Sequence, residues 1–241
     1  MNATTQATRP ALDADQAIGQ IAVELPGATA VFRRLKLDFC CGGQLSLRQA
    51  SADKGLDLQA VMNELSTLQR PSQLPDTGTP GELIDHILTR FHDVHRQQLP
   101  ELIRMAHRVE AVHRGNPDVP AGLGDALEAM QQELLTHMHK EEAVLFPMLR
   151  AGGNSFVSQP IAMMRHEHND HGEALEHLAS LTNDITPPMG ACNTWRALYT
   201  GLAQLREDLI NHIHLENNIL FPQFEQAAQP QGCGGGGCGC A

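Results

Sequence analysis

Two segments of the chain repeat one arrangement of histidine and glutamate. They read THMHKEEAVLFP (residues 136–147) and NHIHLENNILFP (residues 211–222), and six of their twelve positions are identical. Imidazole nitrogens and carboxylate oxygens suit iron, manganese and zinc, whereas copper(I) and iron–sulfur clusters favour thiolates. Side chains four residues apart lie on one face of a helix. The repeat therefore predicts two metal-binding faces, which carry His137 with Glu141 and His212 with Glu216.

The same residues occupy positions that a helix bundle would bury. Bundle helices bury residues that alternate three and four apart. This spacing selects eight polar residues, namely His92, His95, His137, Glu141, His168, His171, His212 and Glu216. The pair 168/171 repeats the pair 92/95 at an offset of 76, so the repeat covers a whole helical hairpin. His139 and His214 point elsewhere, about 200° around the helix.

The number of donors on these faces fits a pair of metals. An unpaired buried carboxylate costs several kcal/mol, and a bound cation removes that cost. If both glutamates bridge, four histidines and two glutamates give four bonds to each ion, which leaves about two open positions on an octahedral metal. Open positions predict chemistry on small ligands.

Four long helical segments are predicted to carry these faces. They cover about residues 80–114, 122–150, 159–184 and 192–227, separated by turns that contain glycine or proline. The segment Thr79-Pro80-Gly81-Glu82 is a strong helix start, because threonine caps, proline suits the first position and glutamate follows three residues after the cap. The layout predicts an up-down-up-down four-helix bundle. Pro100, Pro147 and Pro222 should end or kink their helices.

A smaller helical domain is predicted ahead of the bundle. Short amphipathic pieces lie near residues 14–24, 27–37, 46–54 and 57–69. Ser46 with Gln49 matches a capping box, and Asp57 suits a helix cap. The stretch RPSQLPDTGTPG (residues 70–81) is typical of a linker. We therefore expect an all-α chain with a small helical domain over residues 1–75, a bundle over 76–228 and a flexible Gly/Cys tail over 229–241.

Composition supports this class and narrows the partners. Aromatic residues make up only 4% of a chain that is 41% hydrophobic, which favours helices over strands. A net charge of −11 argues against binding of nucleic acid, which needs clustered Lys and Arg. The sequence lacks a signal peptide pattern and a run of ~20 apolar residues, so we expect a cytoplasmic protein without a membrane partner. Both a monomer and a homodimer are compatible with it.

These motifs carry a resemblance to a known family. The His and Glu faces, with the element DFCCGG (residues 38–43), resemble the hemerythrin-like di-iron proteins and more closely the repair of iron centres family, from about residue 14 to 226. The resemblance implies two non-haem iron ions, bridged by glutamate and by an oxo or hydroxo group. The ligands that it implies are His92, His137, Glu141, His168, His212 and Glu216. It gives no ligand role to His95 or His171.

The resemblance also implies a function. Such proteins repair iron–sulfur clusters damaged by nitric oxide or oxidants, through release of iron or through reduction of nitric oxide. The expected partners are damaged iron–sulfur proteins and the small ligands NO and O2. The alternative is a module that senses or stores O2 or NO without turnover. The chain is therefore either an enzyme of the nitric oxide reductase type or an iron donor that is not an enzyme.

Two further acidic residues are singled out by the resemblance. It implies that acidic side chains line the access to the metals, and the matching positions are Glu133 and Glu167. Both positions also suit an ordinary solvated helix face, because neither is squarely on a core stripe.

The cysteines fall into three groups. Cys40 and Cys41 precede two glycines and the helix start predicted at Ser46. A helix N-terminus can lower the pKa of a thiol, so we expect two reactive thiols, with a buried apolar pair at a tight turn as the alternative. Cys192 is expected to be structural. The tail residues Cys233, Cys238 and Cys240 either hold a soft metal transiently or belong to a flexible end.

Overall fold

The N-terminal part of the chain is a small helical domain. The computed structural model describes residues 12–68 and 78–225, and within these ranges the named elements are all helices, as predicted. The first four are α1 (Ile18–Glu24), α2 (Ala28–Arg34), α3 (Leu47–Asp53) and α4 (Leu58–Ser66). They pack around a core that includes Phe32 and Phe39. Ser46 caps α3 through the backbone N–H of Gln49, and Asp57 caps α4.

The second part of the chain is the predicted four-helix bundle. The first bundle helix consists of α5 (Pro80–Ile87), a π turn (Leu88–His92) and α6 (Asp93–Val112). The second consists of α7 (Leu123–Lys140), a π turn (Glu141–Leu145) and α8 (Phe146–Arg150), and the third is α9 (Ser158–Leu181). The fourth consists of α10 (Asn193–Leu215), a π turn (Glu216–Leu220) and α11 (Pro222–Glu225). Helices α6 and α9 each pack on both α7 and α10. Thr79 and Glu82 form the expected capping box.

Parts of the predicted organisation lie outside the described residues. Most of the linker at 70–81 and the whole tail, with Cys233, Cys238 and Cys240, are among them. The boundaries at 75/76 and 228/229 therefore stay predictions. Over the ranges that the structure does describe, no helix has both the length and the apolar character needed to cross a bilayer.

Of the three interruptions that we expected at proline, the one at Pro222 is found. A single turn residue, Phe221, separates the last π turn from α11, which starts at Pro222. Pro100 lies inside α6 and does not end it, and Pro147 lies in the first turn of α8, which directly continues the second bundle helix. Each π turn is closed by a hydrogen bond to the fifth residue back, as from the N–H of Phe221 to the carbonyl of Glu216. The π turns before Pro147 and Pro222 have already interrupted the regular ladder, so the donor missing at proline costs little there.

The bundle core consists of two apolar clusters with a polar layer between them. One cluster includes Ile84 and Phe146 near one end of the bundle, and the other includes Leu102, Leu127 and Trp195 towards the other end. Both clusters are sealed from water by large side chains that are almost fully buried. The histidines and glutamates of the sequence repeat form the layer between the clusters.

Candidate metal centre

The polar layer is built where three helices change their hydrogen-bond pattern. His92 ends the first π turn, while Glu141 and Glu216 begin the other two. His137 and His212 lie one turn earlier, in the last turns of α7 and α10. A π turn inserts one residue and rotates the side chains that follow it, which is why such turns recur at functional sites. Here both glutamates are the first residues of their π turns, so the change of pattern begins at the layer itself.

The ligand atoms form two compact groups that share both glutamates. One group consists of His92, Glu141, His212 and Glu216, and the other of His137, Glu141, His168 and Glu216; in each, one ligand atom per residue lies within 4.8 Å of the others. Nε2 of His92 is 3.1 Å from Nε2 of His212. Nε2 of His168 is 3.0 Å from Oε2 of Glu216. This arrangement suits two cations bridged by two carboxylates.

The burial of these atoms supports a cation. All six residues are at most 2% exposed. Nε2 of His137 and both carboxylate oxygens of Glu141 have no hydrogen-bond partner among the described residues. Buried polar atoms in native proteins are nearly always paired. The atoms without partners are the ones that a cation at this position would bind, so the residues fit a bridged metal pair.

Burial also sets the charge of the site. It lowers the pKa of His92 to about 4, with repulsion from His212 adding to the effect, and it holds the pKa of His137 well below its usual range. These imidazoles are therefore neutral near pH 7 and keep a lone pair for a metal. Burial, followed by repulsion from Glu216, raises the pKa of Glu141 well above its usual range. Without a cation, Glu141 holds a proton that metal binding would displace.

Glu216 differs from Glu141 because two imidazoles face it. Burial raises the pKa of Glu216, but the interactions with His212 and His168 outweigh burial and leave the pKa well below its usual range. Oε1 of Glu216 lies 3.1 Å from Nε2 of His212. The pKa values of the two carboxyl groups are thus shifted in opposite directions, because only Glu216 faces two imidazoles closely.

Carboxylates outside the layer orient two of the histidines. Nδ1 of His92 donates to Glu142 over 2.6 Å, and Arg96 donates to the same oxygen over 2.7 Å. Nδ1 of His137 donates to Glu167 over 2.9 Å, and Lys140 pairs with the other oxygen of Glu167. Each bond keeps the proton on Nδ1 and directs the Nε2 lone pair inward. Carboxylate partners of this kind raise the basicity of a histidine ligand and fix its ring.

The other two histidines are held in different ways. Nδ1 of His168 donates to Oδ1 of Asn217 over 2.9 Å, in a bond buried inside the bundle. The ring of His212 stacks on Phe91, with centroids 5.4 Å apart and planes inclined by only 4°. Phe221 likewise stacks on His168. These aromatic rings hold the imidazoles in place and keep water away from the layer.

The side chains that orient the histidines from outside the layer follow the internal repeat. Most of them were not predicted from the sequence. Glu142 and Asn217 each come directly after a shared glutamate, and each accepts from the histidine of the preceding long helix. Because a hydrogen-bond acceptor follows the glutamate in both halves of the repeat, comparing the two halves could have identified these residues from the sequence. The repeat breaks at Glu167, whose equivalent is Phe91, so one half orients its histidine with a carboxylate and the other with a ring.

The two acidic residues singled out by the resemblance lie in different surroundings. Glu167 is half-buried and contacts His137 directly. Glu133 is exposed and lines a surface cleft with Met130 and His177. Of the two, only Glu167 touches a residue of the two groups.

Four histidines near the layer belong to neither group. His95 and His171 are buried beside it. His139 is exposed, whereas His214 is buried and faces the N-terminal domain, where its ring lies 5.2 Å from that of Phe39. Only the first histidine of each repeated His-x-His motif therefore lies in the layer.

The loop that contains Cys40 and Cys41 is folded around Asp38. The carboxylate of Asp38 accepts from the backbone N–H groups of Cys41 and Gly42 over 2.9 and 3.0 Å. Cys40 is buried, and its Sγ lies 3.7 Å from that of Cys41 with no disulfide. A neighbouring glycine is required as well, since a Cβ on Gly43 would lie 2.6 Å from the carbonyl oxygen of Phe39.

The expectation of a lowered thiol pKa was wrong for Cys40. Its hydrogen bond with Cys41, then burial and the nearby Asp38 carboxylate, raise the pKa of Cys40 well above its usual range. Helix α3 starts only at Leu47, too far along the chain to stabilise a thiolate at Cys40. Cys192 was expected to be structural, yet it is exposed at the start of α10, where its Sγ lies 3.3 Å from Nε2 of His113.

Two consecutive asparagines fasten this loop to the bundle. The side-chain NH2 of Asn217 donates to the carbonyl of Cys40 over 2.9 Å. The side-chain oxygen of the same residue accepts from His168. Asn218 donates to the carbonyl of Phe39 over 3.0 Å. Both asparagines lie in the π turn that begins at Glu216. One side chain therefore links the thiol loop to a histidine of the candidate metal centre.

A cleft opens to solvent beside this junction. It has a volume of about 450 Å³ and is lined by Cys41, Gln44, Arg165, Asn169, Asn217 and Glu225. Sγ of Cys41 donates to the backbone carbonyl of His168 over 3.4 Å. The thiol of Cys41 thus lies between the cleft and the polar layer.

Comparison with known proteins agrees with this arrangement. The family model described as "Hemerythrin HHE cation binding domain" matches residues 83–224, and a model described as a domain of unknown function (DUF542) matches residues 14–69. The "Iron-sulfur cluster repair protein YtfE" of Dickeya chrysanthemi is 50% identical over 212 residues, which cover 87% of this chain and 96% of the relative. The proteins of the same name from Cronobacter sakazakii and Citrobacter koseri are 48% and 47% identical over 211 residues, with the same coverage. The chain therefore belongs to the YtfE family of iron–sulfur cluster repair proteins, which the sequence resemblance had indicated.

Proposed function

We propose that this protein repairs iron–sulfur clusters damaged by nitrosative or oxidative stress and that it does so with a di-iron centre in its bundle. The observation that carries the proposal is the pair of four-residue groups that share Glu141 and Glu216. Relatives that are 48–50% identical are named iron–sulfur cluster repair proteins, which supports the repair function. We place the protein in the cytoplasm, and its net charge of −11 argues against nucleic acid as a partner.

In this proposal the six buried residues hold the metals. His92 and His212 would hold one ion and His137 and His168 the other, with Glu141 and Glu216 available to both. When bound, a carboxylate-bridged iron pair supplies open coordination positions and a change of valence. Glu142 and Glu167 keep the protons of their histidines on Nδ1, so the inner nitrogens stay free to bind. Glu141 gives up its proton as the site is filled.

We assign different roles to the two adjacent thiols. Cys40 is buried with a raised pKa and fixes the loop on the bundle, because its carbonyl accepts from Asn217. Cys41 borders the open cleft and the backbone of His168, so it is the thiol that can meet iron cargo or a damaged cluster protein. A thiolate binds iron more strongly than an amide does. The cleft therefore marks the route by which iron would leave or enter the bundle.

The repair function is tested by transfer of iron to an apo iron–sulfur protein. We expect the native protein to restore the cluster, and the Glu141→Leu variant to restore little because a shared ligand is lost. Glu128→Leu is the matched control, since Glu128 is exposed and pairs with His107. Equal transfer by the native protein and by Glu141→Leu would remove the bundle site from the mechanism.

A second assay separates donation from nitric oxide reduction. Reduced protein is given nitric oxide, and nitrous oxide is measured. Repeated turnover supports the enzyme, while iron transfer without nitrous oxide supports the donor. Stoichiometric binding of nitric oxide with neither product nor transfer would instead support the sensing or storage module.

A further inference from the structure

His95 and His171 are buried histidines that have no assigned role. They occupy equivalent positions of the internal repeat, three residues after His92 and His168. Their exposed fractions are 0% and 2%. Neither ring nitrogen of either residue has a hydrogen-bond partner among the described residues. Each therefore carries an unused donor and an unused acceptor inside the bundle.

Each of the two rings lies beside a different half of the metal centre. The ring of His95 is 5.5 Å from that of His212, centroid to centroid. The ring of His171 is 4.9 Å from that of His137. Neither residue is in the two compact groups, whose ligand atoms all lie within 4.8 Å of one another. The rings thus flank the groups, one to each proposed metal.

Packing alone does not explain imidazoles at these two positions. The residues four places further along the same stripes are Leu99 and Leu175, which fill the core without polar atoms. An imidazole with neither nitrogen paired loses its bonds to water and gains nothing in return, and leucine would avoid that loss. Two equivalent exceptions, one beside each half of the site, indicate that each ring meets a ligand on its own side.

We propose that His95 and His171 each donate a hydrogen bond to a small ligand of two or three atoms. Each ligand would occupy the open position of the metal on that histidine's side. The inference rests on the proposed di-iron centre. The outer atom of such a ligand would carry negative charge and would accept a hydrogen bond from an imidazole N–H of His95 or His171. A hydrogen bond to a charged acceptor is stronger than one between neutral groups. Diatomic oxides and small anions such as azide belong to this class.

Azide binding tests the proposal without measuring catalysis. The metal-loaded protein is titrated with azide and followed by visible absorption, after its metal content has been determined. We expect His95→Leu and His171→Leu each to weaken azide binding by about 10-fold or more, the effect of one hydrogen bond to a charged group. His95→Gln keeps an N–H donor and should recover part of the affinity. His177→Leu is the control, because His177 is exposed on the same helix as His171.

The alternative is that ordinary buried water pairs these nitrogens. In that case both leucine variants would bind azide as tightly as the native protein at full metal content, and the proposal would be overturned. Loss of about half the metal in either variant would also overturn it, because the residue would then be a ligand. A native protein that binds no metal at all contradicts the proposed function itself. Thermal stability of the metal-free leucine variants equal to or above that of the native protein excludes a folding defect as the cause of weaker binding, since leucine avoids the cost of the unpaired imidazole.

Discussion

Removing the amide of Asn217 should release the thiol loop from the bundle. The side chain of Asn217 donates to the carbonyl of Cys40 over 2.9 Å, and its oxygen accepts from His168. In the Asn217→Leu variant the buried carbonyl of Cys40 loses this hydrogen-bond donor. Leaving a buried acceptor unpaired costs about 1–3 kcal/mol. Since Asn218 still holds Phe39, we expect the docked state to weaken by this amount and to persist.

That free energy predicts a measurable rise in the reactivity of Cys40. A penalty of about 1–3 kcal/mol multiplies the open fraction of the loop by about 5–150. Alkylation of a buried thiol follows the open fraction when opening and closing are fast. Iodoacetamide labelling, with fragment mass spectra that distinguish Cys40 from Cys41, gives the rate directly. Asn217→Leu should therefore accelerate labelling of Cys40 by at least about 5-fold.

Two further variants separate this effect from its alternatives. Asn217→Asp keeps an acceptor for His168 but directs a second oxygen at the Cys40 carbonyl, so it should accelerate labelling as Asn217→Leu does. Asn169→Leu is the matched control, because Asn169 lines the same cleft and is exposed. Unchanged labelling of Cys40 in Asn217→Leu, or an equal rise in Asn169→Leu, would refute the link between the loop and the bundle.

Three further predictions concern the outer carboxylate, the loop glycine and pH. Glu167→Leu should weaken metal affinity by about 10–100-fold in chelator competition, whereas Glu133→Leu should not, because only Glu167 orients His137; equal affinities would contradict this role. In denaturant titrations, Gly43→Ala should lower the free energy of unfolding by about 1–3 kcal/mol, since the added Cβ would lie 2.6 Å from a carbonyl oxygen. Gly190→Ala is the control and should leave this free energy unchanged, because a Cβ at Gly190 would meet no atom within 4 Å. The metal-free protein should lose stability as the pH falls from about 6.5 towards 4. Burial lowers the pKa of five histidines, to about 4 for His92 and His214, about 3 for His171, about 2 for His95 and well below the usual range for His137, so the unfolded chain binds more protons in this window. The raised pKa values of Glu141 and His107 oppose this trend, as two groups against five. Unfolding measured at pH 7 and pH 5 checks the sign, and greater stability at pH 5 would contradict it.

The fold could be predicted because its signals are local and repeated. Caps such as Thr79 and Asp57, and the turns between the long segments, gave helix ends within a few residues of those observed. The burial pattern also placed His137 and Glu141 on an inner face, which the structure brings together with their repeat. Periodicity is sufficient here, because a bundle buries one stripe from each helix.

The π turns and the outer partners could not be predicted in the same way. A π turn depends on how a helix packs along its whole length, and the expectation of kinks at Pro147 was the nearest that local rules came to it. The link from Asn217 to Cys40 spans 177 residues and needs the relative placement of the two domains. The pKa of Cys40 depends on burial at that same junction, so a rule about helix starts gave the wrong direction.

Iron stoichiometry tests the central claim most directly. Under the proposed function, the two groups of buried ligands that share both glutamates would hold two metals per chain. Elemental analysis of protein purified in air, at a known protein concentration, should therefore give about two iron ions per chain. The Glu216→Leu variant removes a ligand from both groups and should lose both ions together. One iron per chain in the native protein, or zinc in its place, would contradict the account.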